Sequence, residues 1–289
     1  MKKITGFFVL SSLLVSGLFA GGPWTKAKGK YYVKLSEWWT VFDEHFTDTG
    51  LRDPNITTGI FSTFLYAEYG ISDRFTGIYN GAIFSRNYMN NLRSLTTNEI
   101  LIPGEGVNSL GDMDFALKYR LNKQDAKVPL ALSVVLGVRT GAVGRGEQGN
   151  LQTGDGEFNQ MLQLDAGRGF KVKKLPAYVS GFVAFNHRTE GFSEEVRFGL
   201  ELGLGLLDEK LWINSKFNAI ESLKNGLVSS QANSTSIFAN NTEFMSISLE
   251  ANYLLTKKLG LSASAAEAVR GEIIPAAPAY SLGLFINVD

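Results

Sequence analysis

The chain has 289 residues, with 28 Lys and Arg against 28 Asp and Glu, so no excess of positive charge marks a nucleic-acid partner. It has no cysteine, which excludes disulfides, thiolate metal sites and thiol nucleophiles, and its two histidines, His45 and His187, lack the paired spacing of a transition-metal site. No cofactor is expected.

Lys2 and Lys3 precede an apolar run from Phe7 to Val15, and the small residues Ala20, Gly21 and Gly22 follow. This is the tripartite pattern of a secretory signal peptide, expected over residues 1–20. Leu18 stands where the usual cleavage pattern has a small residue, so the cut is placed only to within a few residues. Beyond residue 20 no apolar stretch reaches the ~18 residues a membrane helix needs. If the mature chain crosses a membrane, it must do so as a closed barrel, whose backbone groups are all paired.

Residues 22–24 read as a linker, and alternation opens at residue 31. Tyr31, Val33, Leu35, Trp39 and Val41 share one face, and Lys34, Ser36 and Thr40 the other; Glu37 falls on the apolar face, an exception a bulge would correct. A polar loop at 43–55 leads to a strand at 60–69 with Glu68 opposite Leu65, Ala67 and Tyr69, then a tight turn at 70–73 and a return strand at 74–84. A long polar loop, 86–108, precedes the clearest pair. In its first segment Met113, Phe115, Leu117, Tyr119 and Leu121 oppose Asp112, Asp114, Ala116, Lys118 and Arg120. In its second Leu130, Leu132, Val134, Leu136 and Val138 oppose Ala131, Ser133, Gly137 and Arg139. After a Gly-rich loop at 142–156, strands are expected at 158–166, 178–188, 195–206, 211–219, 244–253, 259–265 and 280–288. Short turns at 168–174, 208–210 and 256–258 alternate with connections at 190–191, 222–241 and 267–278.

About twelve strands, with short connections at one end and longer ones at the other, predict an all-β fold: a transmembrane antiparallel up-and-down β-barrel. Residues 21–289 form one domain on this reading, in the outer membrane of a Gram-negative-type bacterium. A soluble barrel or sandwich would bury the apolar face instead. Strand length argues against that. The row Val196, Phe198, Leu200, Leu202, Leu204 and Leu206 is uninterrupted. At ~3.3 Å per residue and ~40° tilt it covers roughly 25 Å of barrel height, which is the lipid-facing band of outer-membrane barrels. Soluble strands run to ~5–6 residues. Trp38, Trp39, Tyr119, Tyr253 and Tyr280 stand at segment ends, as interface girdles require. Phe115, Leu117 and Leu132 are thus expected to face lipid, with Leu132 near mid-membrane.

The polar face becomes the lumen. Lys34, Glu68, Asp112, Asp114, Lys118, Arg120, Arg139, Asp165, Arg188, Glu195, Arg197, Glu201, Lys216 and Glu250 fall on it, with small residues such as Gly199, Gly203 and Gly205 suited to a wet interior. Their mixed signs predict no strong ion selectivity. A salt-bridged, closed interior and a polar permeation path are both compatible with them.

Ser109-Leu110-Gly111-Asp112 with Leu117-Lys118-Tyr119-Arg120-Leu121 resembles a signature of outer-membrane transporters grouped under the name of the meta-pathway of phenol degradation. Thr153-Gly154-Asp155-Gly156 and the block from Glu68 to Arg74 resemble two further family motifs, and the similar order spans residues 65–206. The sequence departs from the family at Ser109, where the family has Gly, and at Arg139-Thr140-Gly141, where it tends to have Pro-Thr-Gly. The resemblance implies a barrel passing small or apolar solutes. Outer-membrane lipid, the barrel-assembly machinery and a small-molecule solute are the expected partners, although the chain ends in Val288-Asp289 and not in the aromatic residue many barrels present for assembly.

Two other functions carry specific residues. A structural or adhesive barrel would act through the loops at 86–108 and 222–241. A hydrolase would use His187 with Thr189, two residues on and on the same face, but a triad needs a third, orienting group. Gly154-Asp155-Gly156 reads as a turn exploiting positive φ rather than as an ion cradle.

Overall fold

The computed structural model describes residues 21–123, 125–138, 144, 146–147, 151–227 and 238–289. The signal-peptide segment 1–20, and Arg139 with its neighbours Thr140 and Gly141, lie outside the described residues.

The strands in chain order are β1 (Tyr31–Phe46), β2 (Arg52–Gly70), β3 (Phe75–Met89), β4 (Leu92–Arg93), β5 (Ile100–Ile102), β6 (Glu105–Ser109), β7 (Met113–Arg120) and β8 (Leu130–Val138). They continue as β9 (Asn159–Val172), β10 (Leu175–Arg188), β11 (Glu195–Leu206), β12 (Leu211–Ser222), β13 (Glu243–Leu254), β14 (Leu259–Glu272), β15 (Ile274–Pro275) and β16 (Ala279–Val288). Twelve of them, β1, β2, β3, β7 to β14 and β16, form a closed antiparallel barrel. Closure is made by β1, where Tyr31 pairs with Tyr69 of β2 and with Val288 of β16. β6 extends the β7 side of β3, and β4 and β5 form a separate two-stranded ribbon.

Neighbouring strands meet through two-residue to nine-residue connections at one end, where both described termini also lie. The other end carries the longer excursions between β3 and β7, β8 and β9, and β12 and β13. The outer wall is apolar and open: Leu200 is 59% exposed, Leu249 59% and Leu282 57%. Their cross-strand partners share that face, as with Leu200 against Gly181 and Phe217. The inner face carries buried charged and polar side chains, among them Glu68, Lys118, Asp165, Arg188 and Glu195.

Several boundaries differ from the sequence expectation. The region 86–108 is not a loop but the end of β3, the β4–β5 ribbon and β6, while β1 and β2 run so far that only residues 47–51 separate them. These extensions lie outside the alternating apolar rows. The ends of β1, β2 and β3 are largely polar on both faces, and Ile100–Ile102 is apolar on both, so the period-2 signal fades. Glu37 stays on the outer face. The shifts in register fall elsewhere, at Phe42/Glu44 and Thr63/Phe64, and Glu37 instead accepts the hydroxyl of its cross-strand partner Thr63 at 2.7 Å. Trp38 does not join an outer girdle, because it pairs with Ser62 and Ser281 on the inner face; Trp39 faces outward and packs on Tyr280 at 5.9 Å.

Candidate functional site: the barrel interior

Alternation sends every second side chain inward, and closure then brings together charges distant in sequence. On β1, β12 and β13, Glu250 accepts Lys34 Nζ at 2.6 Å on one oxygen and Lys216 Nζ at 2.5 Å on the other. Lys216 also lies 3.7 Å from Glu201, which accepts the Tyr178 hydroxyl. Two ammonium groups and two carboxylates balance in this cluster.

A second cluster spans β2, β7, β8 and β9. Glu68 accepts the Tyr66 hydroxyl at 2.6 Å and has Lys118 Nζ at 3.9 Å. Asp165 is bonded by Gln163 Nε2 at 2.7 Å and Ser133 Oγ at 3.4 Å. Arg120, on the same side of β7 as Lys118, reaches Thr25 Oγ1 at 3.5 Å.

The third cluster lies toward the long-loop end. Arg188 donates to Glu157 and, at 2.7 Å, to Glu195; its other nitrogen lies 3.4 Å from Asp155. Arg197 donates to the second Glu195 oxygen at 2.6 Å. Asp114, half-buried on β7, pairs across strands with Asn80 and Gly137. Asp112 sits in the break between β6 and β7 and accepts N–H groups from Asp155 at 2.8 Å and Gly156 at 3.3 Å.

The chain itself enters the barrel at both ends. Residues 151–157 turn inward, with Leu151 3% and Thr153 1% exposed, and Asn87 Nδ2 bonds the Gln152 carbonyl at 2.5 Å. At the short-turn end residues 21–26 fold back inside, so the sequence reading of a linker is wrong there. The segment has no alternation because it follows no strand. Pro23 is fully buried, the Trp24 ring meets Tyr178 edge-on at 5.5 Å, and Lys118 Nζ donates to the Gly22 carbonyl at 2.7 Å. Lys26, 7% exposed, donates to Asn287 at 2.8 Å and Asp289 at 2.9 Å.

Beside this segment lies an inward aromatic layer the sequence reading did not single out. Tyr32, Tyr178, Trp212 and Phe285 pack with Trp24, Tyr66 and Leu254. The glycines read as lining a wet lumen have a different task here. A Cβ at Gly203 would overlap the Tyr178 ring, and one at Gly205 would come within 2.9 Å of Trp212. Glycines facing aromatics one strand away were the available signal.

His187 is exposed on the outer side of β10, with Nδ1 2.9 Å from Glu194 Oε1, whereas Thr189 Oγ1 accepts the Phe158 N–H at 3.1 Å. The two groups are engaged separately. The His187 hydrogen bond, with a second from Asn225, holds the Glu194 carboxyl below its usual range. Among the described residues no group of three or more His, Asp or Glu is placed to hold a metal ion.

No family model matches the chain, and no curated protein does. Solved structures do. The crystal structure of an outer-membrane channel from Pseudomonas putida F1 superposes with a TM-score of 0.57 at 16% identity, over 93% of this chain and 99% of that one. The fold is that of an outer-membrane β-barrel. Weaker matches include the KdgM porin in complex with disordered oligogalacturonate, at TM-score 0.47, 7% identity, 89% of this chain and 99% of that one. The β-domain of the Bordetella autotransporter BrkA matches at 0.47 and 14%, over 91% and 100% of the two chains. At these identities the likeness concerns the fold alone.

Proposed function

We propose that the protein is an outer-membrane channel for small solutes, with lipid against its apolar wall, the short-turn end toward the periplasm and the inward charges lining the path. The observation that supports this best is the interior itself: charges of both signs held in clusters, and an N-terminal segment seated among them by hydrogen bonds and one ion pair rather than by strand pairing. Such contacts release without unfolding the barrel. The rings of Tyr32, Tyr178, Trp212 and Phe285 offer an apolar solute a surface, and paired charges favour neutral solutes over either ion sign. Twelve strands fall between the ~8 whose interior side chains fill and the ~16–18 that leave a wide channel.

The test is planar-bilayer conductance and liposome swelling with a graded series of neutral solutes, run on the intact mature chain and on a variant lacking residues 21–27. A low, size-limited flux that rises in the deletion is expected. No conductance and no flux in either form would remove the channel reading. The buried aromatic layer would then favour a closed barrel acting through its outer loops.

A further inference from the structure

Glu68 is 1% exposed inside the barrel, and its hydrogen bonding is incomplete. Oε1 accepts the Tyr66 hydroxyl at 2.6 Å and the Gly21 N–H at 3.1 Å, while Oε2 is buried without a partner among the described residues. Lys118 stands 3.9 Å away and makes its short contact, at 2.7 Å, with the Gly22 carbonyl instead. Buried carboxylate oxygens are rarely left this way, because the desolvation cost goes unrecovered.

We propose that the missing donor is the α-ammonium of Gly21, produced when the export signal is cut between Ala20 and Gly21, and that this buried ion pair seats the N-terminal segment in the barrel. The proposal rests on reading the chain as an exported barrel. In the cut, a signal peptidase adds one water across the Ala20–Gly21 peptide bond; Ala20 leaves as a carboxylate and Gly21 keeps the nitrogen as an ammonium. An amide nitrogen offers Glu68 one hydrogen and no charge. The ammonium offers three hydrogens and a unit charge, enough for both carboxylate oxygens, and with an ordinary pKa of ~7.7–8.0 it is charged at neutral pH.

The local backbone is built for this approach. Gly22 has φ of +69°, a left-handed conformation that glycine adopts without strain. A Cβ on Gly22 would also stand 2.8 Å from the Trp24 ring. A terminus at Gly22 would fall one residue, ~3.8 Å, short of Glu68. Gly22, beside the proposed cleavage site, is therefore also the residue that curls the new terminus onto its carboxylate.

Two measurements test this. The first is the intact mass of protein purified from outer membranes. A chain beginning at Gly21 is expected; a start at Gly22 or later overturns the pair, and a chain still beginning at Met1 overturns it together with the export reading. The second is the rate at which an aminopeptidase removes the first residue of the folded protein, followed by mass. Trimming requires no solute flux, so it is independent of the channel reading. Glu68→Gln should be trimmed about tenfold or more faster than the wild type, since a charge-assisted bond is lost. Inserting one alanine between Ala20 and Gly21 should do the same, and adding Glu68→Gln to that insertion should change nothing further. Equal trimming of wild type and Glu68→Gln overturns the proposal. If Glu68→Gln does not fold, the insertion, which leaves every barrel side chain in place, decides alone.

Discussion

Replacing Leu200 with arginine tests the orientation of the wall most directly. Leu200 is 59% exposed on the outer face, and its cross-strand neighbours Gly181 and Phe217 give an arginine no hydrogen-bonding side chain. It lies six residues from Leu206 at the short-turn end of β11. At ~3.3 Å per residue and ~40° tilt, that is roughly 15 Å into a band of ~25 Å, just past the middle. An arginine at that depth costs ~2–4 kcal/mol, against ~0–1 near an interface. Leu132 supplies the contrast. The sequence expectation put it near mid-membrane, but it is two residues from the start of β8, roughly 5 Å in, and pairs with Tyr119 and Leu164 at the girdle. Leu132→Arg should therefore cost only ~0–1 kcal/mol. Reversible guanidinium unfolding from phospholipid vesicles, followed by tryptophan fluorescence, measures both. Equal costs at the two positions, or less than ~1 kcal/mol at Leu200, would refute the depth assignment and with it the inside-out reading of the wall.

Removing the carboxylate in Glu250→Ala leaves Lys34 and Lys216 without their shared partner, and should destabilise the barrel by about 3 kcal/mol in the same unfolding assay. Replacing the whole cluster, with Lys34→Met, Lys216→Met, Glu250→Leu and Glu201→Gln, should recover most of that loss. On the outer wall, Thr63→Val takes the donor from Glu37 and should cost about 1–2 kcal/mol, whereas Glu37→Leu should stabilise the vesicle-bound protein. Asp112→Ala removes the acceptor for the Asp155 and Gly156 N–H groups, so limited proteolysis should open residues 151–157 faster by about tenfold or more while the strands stay resistant. Glu194 is held below the usual carboxylate range by His187, so its contribution to the outer turn is present above ~4.3 and fades as pH falls through its lowered value. Amide exchange at residues 189–194 should accelerate in that acid window, and His187→Ala should weaken the dependence, the Asn225 hydrogen bond remaining.

The architecture was legible because long strands bounded by water and lipid keep a strict period of two; Val196 to Leu206 is apolar at every outward position for that reason. Where the environment no longer differs between faces the signal disappears, which is why the end of β3 and the β4–β5 ribbon read as loop. The pairings inside the barrel lie beyond local pattern. Lys34 and Glu250 are 216 residues apart, and only closure by β1 against β16 makes them neighbours. Gly22-Pro23-Trp24 has no periodicity at all, because its position is fixed by tertiary contacts with Gly167, Tyr178 and Lys118. Glycine proved the most misleading residue. On an inward face it reads as space for water, yet Gly203 and Gly205 are space for rings.

The two family-like blocks at Asp112 and at Thr153 to Gly156 are joined in the structure. Thr153 Oγ1 donates to the Leu110 carbonyl at 2.7 Å and accepts the Gly144 N–H at 2.9 Å, while Asp112 holds the Asp155 and Gly156 amides. Gly156 has φ of +71°, in line with a turn, but Gly154 and Gly111 are small for packing: a Cβ on Gly111 would stand 2.7 Å from Ala82 and 2.8 Å from the Thr153 carbonyl. Together these residues latch an inward segment at the long-loop end, as Lys118, Lys26 and Glu68 hold the N-terminal segment at the other. The two latches differ in kind. The outer one is backbone amides on a carboxylate within a covalently continuous loop. The inner one is made by residues 21–26, which precede β1, so with the proposed export cleavage it can leave by breaking polar contacts without deforming a strand. On the proposed channel reading, a solute path therefore opens at lower cost from the short-turn end.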